Sequence, residues 1–103
     1  MRTPWGIADS VEQLGQGILS VSTPSHGGIW VPAALLDRID YRGREEAMKW
    51  SHGWGGQWFE EDCCWAWVAV AFPALFRAED VATARELLGA RGFEAPSVAS
   101  GVS

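Results

Sequence analysis

The segment EEDCCWAWVAVAF, residues 60–72, contains the most apolar part of the chain and therefore weighs most in predicting the architecture. Its three leading acids suit the positive end of a helix dipole, and its alanines favour helix. Beyond Asp62 the segment is apolar on all sides, which is typical of a buried helix, and Pro73 ends or kinks that helix. We therefore predict a buried central helix over this stretch.

A buried strand is the alternative for the same segment, since apolar residues also alternate along it from Cys64 to Phe72. Periodicity alone does not separate a short buried helix from a buried strand, although the composition favours the helix. On a helix, Trp65 and Trp67 point about 200° apart. One of them then faces a strand layer and the other a second helix, so we expect both in the core.

The segments around this helix predict an α+β fold. Strand-type runs at 10–14 and 17–23 precede the turn PSHGG, and GIWV follows it as a third strand. Short helical patterns occupy VPAALLDRI and REEAMKW, and RAEDVATARELLGARG at 77–92 is an amphipathic helix. The prediction is a small antiparallel β-sheet of about three strands packed against a buried central helix and a C-terminal amphipathic helix. Residues 1–92 form this single domain, and 93–103 form a flexible C-terminal tail.

Composition narrows the functional classes. The chain has 103 residues, a formal net charge of −5 and only eight Lys and Arg, which are scattered. Nucleic-acid binding needs clustered basic residues, so direct binding of DNA or RNA is not expected. The sequence shows neither the apolar core of a signal peptide nor a membrane-spanning run. Cys63 and Cys64 are adjacent, so a disulfide between them would not cross-link distant parts of the chain. This favours a reduced, cytoplasmic protein.

The candidates for metal chemistry are His26, His52, Glu60, Glu61 and Asp62, and the hypothesis combines His26 with the three acids. A histidine with two carboxylates can bind a divalent metal, with a third acid as general base, although the spacing matches no standard metal motif. The competing interpretation, which the sequence favours, is that the acids cap a helix and His26 satisfies backbone groups in its turn. No cofactor is predicted. A metal site at His26, Glu60 and Asp62, with a catalytic pair His26 and Glu61, remains the alternative.

The tryptophans before the central helix suggest a recognition surface. Trp54 and Trp58 flank a glycine-rich loop, and we expect both at the surface, where tryptophan often anchors protein interfaces. The predicted partner-binding residues are therefore Trp54 and Trp58 with the acids Glu60, Glu61 and Asp62. Cys63 lies where a helix N-terminus would activate a thiol, but three neighbouring acids oppose that, so a core role is favoured for the cysteines.

An ordered set of motifs also carries a resemblance. TPWG at 3–6, STPSHGGI at 22–29 and WFEED at 58–62, followed by an aromatic–alanine helix and FP at 72–73, resemble a family of small uncharacterised proteins. Proteins of that family are encoded by phages, plasmids and other mobile elements of bacteria. The resemblance implies a setting rather than an activity, because small acidic proteins of mobile elements often inhibit host defence, as anti-CRISPR and anti-restriction proteins do.

Together these observations lead to one hypothesis and one alternative. The hypothesis is a non-enzymatic protein-binding module of a mobile element that inhibits a bacterial defence system by binding a nucleic-acid-binding effector. Its partner would be a bacterial protein, such as a subunit of a CRISPR effector or restriction complex, and the protein itself would be a monomer or small homo-oligomer. The alternative is a small metal-dependent hydrolase with a His–carboxylate site.

Overall fold

The computed structural model describes residues 1–48, 55–62 and 64–93. The strands are β1 Arg2–Thr3, β2 Gly6–Ile7, β3 Ser10–Gly15, β4 Ile18–Ser22, β5 Gly27–Pro32 and β6 Gly56–Glu60. The α-helices are α1 Tyr41–Glu46, α2 Trp65–Ala71 and α3 Ala78–Ala90, with 3₁₀ helices at Ala33–Arg38 and Pro73–Leu75. The α+β class is confirmed.

A four-stranded antiparallel sheet in the order β3-β4-β5-β6 forms the centre of the fold, and β1 and β2 form a separate hairpin. The three predicted strands correspond to β3, β4 and β5, so the prediction was short by the fourth strand, β6, and by the small hairpin. Residues 50–62 were expected to form a loop and a helix start. Instead Gly56–Glu60 pairs with β5, whereas residues 49–54 lie outside the described part of the chain.

The two faces of the sheet are covered differently. The helix face carries Ile29 and Phe59, which lie in the core cluster with α2 and α3. The hairpin face carries Gly28, Trp30, Trp58 and Glu60, which follow from the same register because side chains alternate along a strand. Both faces of β5 and β6 are thus largely buried, which explains why β6 shows no clear alternation of apolar and polar residues.

Helix α2 is confirmed as the buried central helix, and the strand alternative for its residues is wrong. It begins at Trp65, however, and not at the acids, because Glu60 still belongs to β6 and Glu61 and Asp62 form a turn. The helix ends where Phe72 leaves helical geometry just before Pro73. Trp67 is fully buried, as expected, whereas Trp65 is only partly buried against the core.

Helix α3 is also confirmed, and its C-terminus has a defined cap. Gly92 has a positive φ of 89°, the Gly92 N–H donates to Gly89 O, and the Phe93 N–H donates to Leu88 O. This is the hydrogen-bond pattern of a Schellman motif. Phe93 then packs edge-on against Trp67, with ring centroids 5.1 Å apart. Phe93, the first residue of the predicted tail, therefore packs on the core, and residues 94–103 lie outside the described residues.

Asp40 caps α1 and offers a pH-dependent test of local stability. Its carboxylate accepts hydrogen bonds from Arg42 N at 2.9 Å, Nε at 3.0 Å and Nη2 at 2.8 Å. These bonds from Arg42 hold the pKa of the Asp40 carboxyl below its usual value, against the opposing effect of desolvation. A lowered folded pKa means that the carboxylate stabilises the fold above its unfolded pKa, about 3.9, and less as pH falls through the folded pKa.

We expect Asp40→Ala to lower the free energy of unfolding by about 1 kcal/mol at neutral pH, the usual effect of losing an N-cap. The difference from wild type should shrink as the pH falls below 4 and Asp40 becomes protonated in both states. Urea unfolding at several pH values measures both effects. Asp37→Asn is the control because the Asp37 side chain is 99% exposed. A difference that grows on acidification would contradict this account.

Candidate functional site

The pairing of β5 with β6 separates the three acids that the sequence places side by side. Gly28 is the register partner of Glu60, and the Glu61 N–H continues the ladder by donating to Gly27 O at 3.0 Å. Because successive side chains alternate between faces, Glu60 lies on the hairpin face and Glu61 on the helix face. The predicted partner-binding set requires the three acids to share one surface. In the structure, Glu60 and Glu61 lie on different faces of the sheet.

On the hairpin face, Glu60 lies beside His26 and Asp62. One potential ligand atom from each of these three side chains lies within 4.8 Å of the other two. His26 Nδ1 is 3.9 Å from Glu60 Oε2, with the His26 side chain 42% exposed and that of Glu60 12% exposed. We call this group the imidazole–carboxylate cluster. It consists of the residues that the sequence suggested as an alternative metal site.

Glu61 does not join that cluster. A β-carbon on Gly27 would collide with Glu61 Oε1, so the Glu61 carboxylate lies directly over the Gly27 backbone. It also lines a depression on the helix face together with Ser20 and Ile29. Of the predicted catalytic pair, His26 thus belongs to the imidazole–carboxylate cluster, whereas Glu61 lies over Gly27 and lines the depression on the helix face.

The depression on the helix face is a groove with a volume of about 440 Å³ between the β3–β4 end of the sheet and the helices. Ligand clefts commonly measure about 300–1,000 Å³. Large apolar side chains form much of its lining, which we call the floor. These are Leu14, Ile29, Trp65, Leu75 and Phe76.

The rim of the groove is acidic. Glu12 from β3, Glu61 from the turn after β6 and Asp80 from the first turn of α3 contribute carboxylates. Arg77 is the basic residue in the lining, and its Nη2 donates to Glu79 Oε2 at 2.6 Å, which offsets its charge. We call this site the acidic groove, and the name includes both the apolar floor and the three carboxylates. Its chemistry suits a ligand with a cationic group on an apolar stem.

The aromatic part of the predicted recognition surface lies elsewhere. Trp58 is only 1% exposed, so the prediction that it lies at the surface is wrong. Its ring packs against Trp30, with centroids 4.9 Å apart, and edge-on against Trp5 at 5.7 Å. The N-terminal hairpin thus covers a tryptophan that the sequence alone left without a partner. Trp54, the other predicted anchor, lies outside the described residues.

Cys64 is fully buried, in agreement with the expected core role, and its Sγ lies 3.9 Å from Glu46 Oε1. Cys63 lies outside the described residues. A nucleophilic role for Cys64 has no support, because a buried side chain offers its sulfur to no substrate.

Sequence reasoning missed two carboxylates of the acidic groove, Glu12 and Asp80. Asp80 stands in the first turn of α3, where an acid is explained by the helix dipole alone. Glu12 lies on the edge strand β3, where a charged residue is ordinary. Only the tertiary packing brings these residues to Glu61, so no local pattern in the sequence could have identified the group.

Fold and site together define a small α+β protein with an acidic groove on one face of its sheet and an imidazole–carboxylate cluster on the other. The chain belongs to the family described as a domain of unknown function (DUF7007), whose model matches residues 1–91. Comparisons with curated proteins and with solved structures give no match. Within the described ranges, no helix has the length and apolar character that a membrane crossing requires.

Proposed function

We propose that this protein is a non-enzymatic protein-binding module whose acidic groove receives a basic segment of a partner protein. The observation that carries the proposal is the set of three carboxylates, from Glu12, Glu61 and Asp80, around an apolar floor. These residues come from a strand, a turn and a helix that pack on one another. Preorganised carboxylates of this kind favour a cationic partner and disfavour an anionic one.

The floor of the groove makes arginine and lysine the most suitable side chains for this partner. Their aliphatic stems can lie on apolar surface while the charged ends remain near carboxylates. Trp65 and Phe76, both partly buried, supply aromatic surface at the floor, against which a guanidinium group also packs favourably. A basic segment therefore satisfies the floor and the rim at once.

This proposal revises the surface that the sequence suggested. Glu61 keeps its place as a partner-binding residue, whereas Glu60 and Asp62 lie on the other face of the sheet. Trp58 is replaced as the aromatic contact by Trp65, which lines the groove. The partner class is unchanged, because the revised surface is still acidic with an aromatic component.

The resemblance to proteins of mobile elements supplies the biological setting of the proposal. We propose a bacterial nucleic-acid-binding effector as the partner, such as a subunit of a CRISPR effector or restriction complex, which presents basic residues to nucleic acid. A net charge of −5 supports association with such a surface. In this setting the protein acts in the cytoplasm as a monomer or small homo-oligomer, without a cofactor and without binding nucleic acid itself.

The alternative function, a metal-dependent hydrolase, is supported by the imidazole–carboxylate cluster. Hydrolysis would also need a general base beside the metal, and Glu61 was the predicted candidate. Glu61 lies over Gly27 and lines the groove on the helix face, and its carboxylate does not belong to the group formed by His26, Glu60 and Asp62. The binding module therefore has the better support.

The proposal is tested by affinity capture from lysates of bacteria that express active CRISPR or restriction systems. Wild-type protein should retain one stoichiometric partner. The combined variant Glu12→Gln, Glu61→Gln and Asp80→Asn should lose it, because the cationic groups of the partner would meet no carboxylate in the groove. The variant should remain folded, since the rim carboxylates lie at the edge of the groove and not in the core cluster.

The matched control removes the same number of charges from exposed positions outside the groove lining, with Asp9→Asn, Glu45→Gln and Glu86→Gln. This control should capture the partner as well as wild type does. Equal loss in both variants would show that only net charge matters. Undiminished capture by the groove variant, or no partner with wild type, would contradict the proposal.

A further inference from the structure

The imidazole–carboxylate cluster contains a histidine, whereas the lining of the acidic groove does not. It combines one imidazole nitrogen with two carboxylates, and a suitable atom from each side chain lies within 4.8 Å of the others. His26 directly precedes β5, and Glu60 is the last residue of β6. Asp62 lies in the turn that follows β6. The cluster lies on the hairpin face, so it is independent of the proposed partner site.

Hydrogen bonds to the backbone hold the three residues of the cluster in place. The Thr23 hydroxyl accepts from His26 N at 3.0 Å and donates to His26 O at 2.7 Å, which closes the turn before β5. Register pairing of Gly28 with Glu60 fixes the end of β6. The Cys64 N–H donates to Glu60 O at 2.9 Å and closes the turn that contains Asp62. The three side chains therefore converge because the backbone holds them there.

We propose that His26, Glu60 and Asp62 form a binding site for a divalent transition-metal cation, with Zn²⁺ or Mn²⁺ as the ligand class. Imidazole nitrogen with carboxylate oxygen suits these ions, whereas Ca²⁺ and Mg²⁺ take oxygen ligands. Bond lengths of about 2.0–2.2 Å place neighbouring ligand atoms about 3–3.5 Å apart. The ligand atoms now lie within 4.8 Å of one another, and His26 and Asp62 are both exposed, which leaves their side chains room to rotate toward that spacing.

The surroundings of the cluster favour a site with one protected side. Glu60 is mostly buried beside Gly28, which Trp5 covers so closely that a β-carbon at position 28 would collide with its ring. His26 remains 42% exposed on the other side. Three protein ligands leave the remaining coordination positions to water. A cation can therefore reach the site from solvent on the side of His26.

Titration of Zn²⁺ into chelator-treated full-length protein tests the affinity of the site. Calorimetry should give one cation per chain, with a rise in melting temperature. His26→Gln and Asp62→Asn should each weaken binding at least tenfold, because loss of even an outer-shell partner costs about 10–100-fold. Both residues are exposed, so both variants should fold. Zn²⁺ affinity that persists in these two variants would overturn the proposal and point to the thiols instead.

Glu61→Gln is the matched control, since it removes a neighbouring carboxylate from the opposite face. It should leave the affinity for Zn²⁺ unchanged, and an equal loss in this variant would show non-specific attraction to acids. Mn²⁺, which prefers oxygen and nitrogen to thiolate ligands, gives a second measurement. Its paramagnetism should broaden the nuclear resonances of His26 and Asp62 most strongly, and the broadening should weaken with distance from these two residues. Uniform broadening, or none, would overturn the proposal.

Discussion

Replacing Trp67 by alanine is expected to lower the free energy of unfolding by about 3–5 kcal/mol, the range for removing a large aromatic side chain from a core. Trp67 is completely buried, and a β-carbon on Gly43 would lie 2.7 Å from its Cβ. Its Nε1 donates to Glu46 at 3.2 Å, and its ring packs against Phe93. One side chain thus connects α2 to α1 and to the C-terminal end of α3.

The loss should appear in urea or thermal unfolding followed by far-UV circular dichroism. Trp65→Ala is the comparison, because Trp65 belongs to the same helix but is only partly buried. It should cost clearly less than Trp67→Ala. A loss of under 1 kcal/mol for Trp67→Ala, or the reverse order of the two variants, would show that α2 does not face the core as described.

Replacing Gly28 by alanine has the second large expected effect, a destabilisation of about 2–3 kcal/mol, as for overpacked cores. The added β-carbon would collide with the Trp5 ring and lie 2.8 Å from the carbonyl oxygen of Phe59. Trp5 can move only by losing its packing against Trp58, and the Phe59 carbonyl belongs to the paired strand β6. Relief of either contact would therefore weaken ring packing or strand pairing.

Gly89→Ala is the matched control for that variant, because nothing lies within 4 Å of a β-carbon at Gly89. Position 89 is helical, so the substitution should stabilise the protein by up to about 1 kcal/mol. The two glycine-to-alanine changes should therefore have opposite signs in the same unfolding assay. If Gly28→Ala were neutral, the N-terminal hairpin would not lie on the sheet.

The elements that were predictable from the sequence are those whose signals are local. α2 was predictable from its apolar, alanine-containing composition and Pro73, and α3 from its apolar periodicity and Gly92, because these signals lie within the helices or at their ends. The strand β6 was missed because Trp5 covers one of its faces and α2 the other, so no alternation marks it. Gln57 also misleads, since it is polar and buried, with its Nε2 donating to Arg44 O at 2.6 Å across the chain.

The same limit applies to the candidate site. His26, Glu60 and Asp62 were named from the sequence as possible ligands, but their proximity depends on the register of β5 and β6. The assignment of Glu61 to the opposite face depends on that register too. The burial of Trp58 follows from the position of Trp5, more than fifty residues away in the chain. Long-range packing therefore decided which of the chemically suitable residues share a site.

The measurement that tests the binding account most directly is a nuclear magnetic resonance titration with a short peptide of alternating arginine and alanine. We expect saturable shifts at Leu14, Asp80 and the Trp65 indole, with little change at His26 and Asp62. A peptide with glutamate in place of arginine should give none. Shifts spread evenly over all exposed acids, or centred on the hairpin face, would contradict the assignment of the acidic groove as the partner-binding surface.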